Sequence, residues 1–161
     1  VAGEVEEMGI LETRDPADWK GASGTLSGGR AAPVRIQLES RALIVKQVLR
    51  GGAVSWVNRE LHLGAHRIYE EAHLSNQLLR RGVPAARMLL ARAESTALVL
   101  FRLHMGSEEV KDSKNLLDLL TAESMEGDRM ARIMRRAGDS IRRLHDAGVR
   151  HHDLNFSNLL A

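Results

Sequence analysis

Cysteine is absent from the 161 residues, which excludes a disulfide framework and thiolate metal sites. Aromatic residues amount to 3%, too few for the stacking platforms of single-strand nucleic-acid binders. No DNA- or RNA-reading motif is present either, so nucleic acid is not an expected partner. No apolar run approaches the roughly 20 residues of a membrane-spanning helix. The first residues, Val1 to Glu7, are acidic where a secretory signal would be basic and then apolar, so a cytoplasmic location is expected. Lysine is scarce: 19 of the 23 cationic residues are Arg and only four are Lys. Arginine favours bidentate contacts to carboxylate and phosphate, so an anionic ligand fits this composition, as does codon bias. With 43% hydrophobic and 27% charged residues, the chain reads as globular, one domain or one lobe plus part of another. It begins with Val1 and stops at Ala161 in an apolar run, and it reads as a piece of a longer protein.

Residues 1–20 are acidic and irregular. The stretch 21–30, GASGTLSGGR, has the composition of a flexible loop. Residues 34–38 and the β-branched run 42–49 predict two strands joined as a hairpin through Glu39-Ser40-Arg41. One stripe then recurs at spacings of three and four (Val57, Leu61, Ala65, Ile68, Ala72, Ser75, Leu79), which predicts a helix over 55–81. Gly82 and Pro84 stop it. Residues 87–92 and 97–103 predict two more strands around Glu94-Ser95-Thr96, and residues 106–112 a polar connector. A short helix is expected at Leu116 to Leu120. A long one is expected over 128–147, with Asp128 as N-cap and Gly148 as the stop. Strands with one helix, followed by a helical part, make an α+β two-lobe pattern.

The chemistry-bearing segment is His151-His152-Asp153-Leu154-Asn155-Phe156-Ser157-Asn158-Leu159-Leu160. It has D-x-x-x-x-N, a His two residues before the Asp, and an apolar pair after the Asn, which resembles the catalytic loop of the protein-kinase fold. Phosphoryl transfer needs a base for the acceptor hydroxyl's proton and a hard oxygen ligand for Mg²⁺ on one loop. Asp153 fits the first role and Asn158 the second, with His151 holding the loop. Lys46, in Leu43-Ile44-Val45-Lys46, resembles the strand lysine that grips a nucleotide's phosphates. Glu71 lies about 60° around the expected helix from Ile68, within the inward stripe. Such a carboxylate needs a partner, and Lys46 is the expected one. A kinase-type G-x-G-x-x-G is missing. Gly28, Gly29 and Arg30 before the first expected strand are equally readable as a phosphate cradle or as an ordinary turn.

Val45 to Gly52 (VKQVLRGG), Arg67 to Glu71 (RIYEE), Arg80 to Arg87 (RRGVPAAR), Arg143 to Val149 (RLHDAGV) and the H-x-D-L-N-x-x-N segment together are similar to the lipopolysaccharide kinase family. The likeness covers roughly residues 25–161. It implies a protein-kinase-like two-lobe fold. Residues 1–24 would be an irregular segment, 25–104 a small antiparallel sheet lobe with one helix, and 105–161 the start of a mainly helical C-terminal lobe. It also implies ATP and Mg²⁺ as cofactors and phosphorylation of the 4-hydroxyl of 3-deoxy-D-manno-octulosonic acid (Kdo) on Kdo-lipid A. A glycolipid acceptor, a Gram-negative source and a peripheral place on the cytoplasmic side of the inner membrane follow from the same resemblance. The oligomeric state does not. Two departures stand out. Lys46 stands where the family usually carries Arg, and the acidic metal-binding segment that follows the catalytic loop in the family is absent from this sequence. The 161-residue chain is therefore expected to be nearly inactive by itself. Other kinase-like phosphotransferases with heptose or protein acceptors remain alternatives, as do a non-catalytic nucleotide-binding module and, on His152-Asp153, a metal phosphohydrolase. His62, His66 and His73 read as satisfied or solvent-facing histidines.

Overall fold

The computed structural model describes residues 15–25, 32–49, 60–121, 127–151 and 154–161. They form six strands: β1 (Ala22–Thr25), β2 (Val34–Gln37), β3 (Ala42–Gln47), β4 (Leu61–Leu63), β5 (Met88–Ala97) and β6 (Leu100–Glu108). Three helices accompany them: α1 (His66–Arg80), α2 (Leu116–Thr121) and α3 (Gly127–Asp146). The architecture is α+β, as expected. Two compact units divide the chain, residues 1–76 with 86–109 and residues 77–85 with 110–161.

The first unit is an antiparallel sheet. Its order is β1-β2-β3-β6, with β5 on the far edge of β6, and β4 sharing the β3 edge further along β6. Strand alternation sends neighbouring side chains to opposite faces, and the two faces bury different things. One face gathers Val34, Ile36, Leu43 and Val45 with Trp19, which the chain brings over the sheet just before β1. The other gathers Leu103 and Met105 of β6 with Ile68 of α1. The register assigns the rest of β3: Lys46 stands opposite Met105, and Ile44 opposite Ser107. Directly paired residues share a face, so Ile44 and Lys46 lie on the face that α1 covers.

Four local expectations are corrected. The Gly- and Ser-rich stretch 21–30 is not all loop, because Ala22–Thr25 pairs with β2. Gly21 makes this possible: at φ +87° its carbonyl accepts a bond from the Gln37 N–H at 2.8 Å. Next, the helix expected over 55–81 starts only at His66, and Leu61–Leu63 pairs with Leu100 to Arg102. Leu-His-Leu carries a period of two inside the apparent helical stripe, and Gly64 at φ +76° separates strand from helix. The turn expected at Glu94-Ser95-Thr96 lies at Leu98-Val99. Ser95 and Thr96 instead sit in β5 and donate side-chain bonds to Ala97 O (3.2 Å) and Leu100 O (3.0 Å), around a register shift. Finally, β6 extends through Gly106 to Glu108, so the polar connector begins later than expected.

In the second unit α3 carries six arginines along a helix whose apolar residues Met130, Ile133, Ala137, Ile141 and Leu144 are half-buried. Gly148 ends it at φ +80°, with Val149 N–H reaching back to Leu144 O (3.2 Å), the six-to-one bond of a Schellman stop. Asp128 falls inside the first turn rather than at the cap.

Candidate functional site

The exposed Lys46 ammonium projects from the α1-covered face, near the end of a strand that is otherwise mostly buried. On α1, Ile68 turns fully inward, Ala72 and Ser75 partly so, and Glu71, on the stripe's edge, is exposed. The structure thus brings Lys46 and Glu71 to one face of the sheet. None of the ion pairs among the described residues joins them within 4.0 Å. The inward-leaning Glu71 expected from periodicity is corrected accordingly: water solvates its carboxylate, and an exposed pair gains little from closing.

The register of α1 on the sheet is set by a residue the sequence reading missed. Asn76 donates from Nδ2 to Met88 O (2.9 Å) and accepts from Met88 N–H (3.1 Å), as a β-strand neighbour would. Ser75 adds a bond to Ala86 O at 2.7 Å. Its only sequence signal was a pair of small polar residues on a helix face otherwise expected to be apolar.

A second missed pair is Arg35 with Glu109. Arg35 Nε and Nη2 donate to Glu109 Oε1 and Oε2 at 2.9 and 2.8 Å. This bidentate contact raises the guanidinium further above its ordinary value.

The opposite face of the sheet holds a polar row. Gln47, His104 and Arg92 are cross-strand neighbours on β3, β6 and β5. His104 is 2% exposed, and the Trp19 ring meets it edge-on with centroids 6.1 Å apart. The Arg92 guanidinium lies 5.4 Å over the Trp19 ring and pairs with Glu94 at 3.7 Å. Burial, reinforced by the Arg92 charge, pushes the His104 imidazole down to about 4. It is therefore neutral at physiological pH.

Of the remaining expected site residues, Gly28, Gly29 and Arg30 lie outside the described residues, as does Asp153. Asn158 is exposed at the end of a short 3-10 turn, Phe156–Asn158. Asn155 caps that turn: its Oδ1 accepts the Ser157 N–H at 3.0 Å. The chain beyond is anchored to the start of α2 by Leu116 N–H to Leu159 O (2.8 Å) and reciprocal bonds between Lys114 and Ala161 (3.0 and 2.9 Å). Asn158 thus sits on a fixed backbone, and its side-chain amide oxygen is the hard donor that a magnesium ion accepts. Among the described residues no group of three or more His, Asp or Glu is placed to hold a metal. His62 bonds Val48 O (2.8 Å) and His66 pairs with Glu70 (3.2 Å).

A small antiparallel sheet, with a lysine on the central β3 and one helix packed on the lysine's face, is the architecture of a kinase-like N-terminal lobe. Residues 27–161 match the lipopolysaccharide kinase (Kdo/WaaP) family, and the chain belongs to that family. A 3-deoxy-D-manno-octulosonic acid kinase of Actinobacillus succinogenes is 31% identical over 120 residues, covering 72% of this chain and 48% of the relative. One of Vibrio cholerae is 34% identical over 94 residues, 58% of this chain and 38% of the relative. One of Vibrio vulnificus is 26% identical over 152 residues, 91% and 62% respectively. The chain spans about half the length of the first of these relatives.

Proposed function

We propose that this chain is the nucleotide-binding and catalytic-loop part of an ATP-dependent kinase that phosphorylates the 4-hydroxyl of Kdo on Kdo-lipid A. The observation that carries the reading is the Lys46 ammonium on the α1-covered sheet face, in a chain of the lipopolysaccharide kinase family. Lys46 grips the α- and β-phosphates, and Gly28, Gly29 and Arg30 cradle them from the β1–β2 connection. Glu71 steadies Lys46 once the phosphates screen both from water. Asp153 accepts the proton of the acceptor hydroxyl as its oxygen bonds to the γ-phosphorus. The bond from that phosphorus to the β–γ bridging oxygen breaks, and ADP leaves. Asn158 would hold a magnesium ion, which when bound neutralises charge on the phosphates.

The lipid acceptor implies peripheral contact with the cytoplasmic side of the inner membrane. No helix among the described residues is long and apolar enough to cross a membrane. The tip of the β5–β6 hairpin, with Leu98 97% exposed beside Val99, and neighbouring Leu63 on β4 are apolar groups suited to a lipid surface.

The test measures ATP binding by the chain, then label transfer from radioactive ATP to Kdo-lipid A, to a heptose-bearing acceptor and to a generic protein. ATP binding that is lost in Lys46→Met, with any label entering Kdo-lipid A alone, is the expected result. Absence of ATP binding overturns the reading, and label in the protein or heptose acceptor transfers it to another phosphotransferase.

A further inference from the structure

Along α3, Arg129, Arg132, Arg136 and Arg143 follow one another at spacings of three, four and seven. At about 100° per residue they fall within an arc of about 60°, in a row about 21 Å long. No other residue of the helix lies in that arc, and all four side chains are exposed. The half-buried apolar residues Met130, Ile133, Ala137, Ile141 and Leu144 centre roughly 110° away. Among the described residues none of the four arginines makes an ion pair. Two carboxylates of the same helix, Asp139 and Asp146, both meet Arg142 instead, at 3.7 and 3.3 Å. The row is a burden on the helix. Arg129 and Arg132 are three apart and Arg132 and Arg136 four apart, so like charges are surface neighbours. Arg129 also stands in the first turn, where the helix dipole disfavours a cation. Folding gains from neither feature, and an anionic surface lying along the row offsets both.

We propose that this arginine row docks the chain on an anionic phospholipid bilayer. The row is straight and carries no apolar or aromatic anchor, whereas a protein partner is held by a desolvated apolar core. The inference rests on the reading of a lipid acceptor for its choice of a bilayer among polyanions, and it adds the surface that meets that bilayer. Each guanidinium held at an anionic leaflet strengthens binding about fivefold. The attraction fades within a Debye length, about 8 Å at physiological salt. A helix flank lying along the leaflet brings all four charges inside that distance, and an end-on contact brings only one or two.

The test is co-sedimentation of the whole chain with vesicles containing phosphatidylglycerol and with vesicles of phosphatidylcholine alone, in the absence of nucleotide. The chain should bind the anionic vesicles and leave them at about 0.5 M salt. Arg129→Gln, Arg132→Gln and Arg136→Gln together should weaken that binding about a hundredfold and leave the Tm equal or higher, since they relieve like-charge and dipole penalties. The same three positions changed to Lys should keep most of the affinity, because a leaflet reads charge rather than the guanidinium fork. Equal binding to neutral vesicles would assign the contact to the apolar Leu98 and Val99 tip and overturn the inference. So would unchanged affinity in the glutamine variant, or a loss of binding with a lower Tm in both triple variants, which makes the row structural. Tighter binding to duplex DNA than to anionic vesicles at the same salt would give the row to a nucleic acid instead. No nucleotide takes part, so a failure here leaves ATP binding and label transfer standing. A failure of those assays with vesicle binding intact removes the kinase reading alone.

Discussion

Lys46 stands directly opposite Met105 in the β3–β6 ladder, and Met105 packs against Ile68 of α1. The ammonium therefore shares the helix-covered face with Glu71, one helical turn beyond Ile68. Lys46 is exposed and no ion pair joins it to Glu71 within 4.0 Å, so its charge contributes little to folding. Replacing it by methionine should leave the free energy of unfolding in urea unchanged within about 0.5 kcal/mol. The same change should lower ATP-dependent transfer by the enzyme about a hundredfold or more. A parallel fall in stability and activity would assign Lys46 a structural role instead.

His104 predicts an acid limb in the stability curve. Burial holds its imidazole at about 4 in the folded chain, below its ordinary value of 6.5. Above pH 6.5 the ring is neutral in both states and contributes no pH dependence. As pH falls below 6.5 the unfolded chain takes up a proton that the folded chain refuses, and stability drops until about pH 4. The full shift corresponds to at most about 3 kcal/mol. Urea unfolding across this window should show the decline, and His104→Gln should flatten that portion of it. An identical slope in the variant would mean that other groups carry the titration.

Gly106 predicts a packing limit. A Cβ there would stand 2.9 Å from Leu90 Cβ and 3.3 Å from Val45 Cγ2. Both are anchored in the Trp19 cluster, so neither can withdraw without disturbing the core. Gly106→Ala should destabilise by about 1–3 kcal/mol, read as a shifted denaturant midpoint with an unchanged m-value. No shift would show that this part of the core is loosely packed.

The legible parts of the sequence were those where one local signal dominates. The β-branched run 42–49 gave β3, and Gly82 and Gly148 gave helix ends, because each signal is decided within a few residues. The family likeness was legible for the same reason: it depends on residue type and spacing. Leu61–Leu63 was misread because its helical spacing was accidental, and a vacant stretch of the β6 edge decided its conformation. Ala22–Thr25 was masked by a composition typical of loops, since an edge strand can be held by backbone bonds with few bulky side chains. Arg35 with Glu109, 74 residues apart, and Asn76 of α1 with Met88 of β5 were invisible because their meaning depends on how separate elements come into register. Glu71 shows the remaining limit. Periodicity assigns a direction on a helix, whereas burial depends on what stands opposite.

Asn76 offers a test of how α1 is positioned, separate from the chemistry of Glu71. Its amide satisfies both backbone groups of Met88 at the start of β5. Asn76→Ala removes both bonds from a half-buried site and should cost about 1–3 kcal/mol. Asn76→Asp keeps the acceptor for the Met88 N–H but sets a carboxylate oxygen against the Met88 carbonyl, so it should be at least as harmful near neutral pH. Lowering the pH protonates that carboxyl, which then becomes a donor again, so the Asp variant should recover towards the wild type in acid while the Ala variant does not. This crossing of the two pH profiles, read from thermal melts, is specific to the clamp. If the profiles run parallel, the bonds to Met88 do not fix the helix, and the placement of Glu71 must come from the packing of Ile68 and the Ser75 bond to Ala86 O.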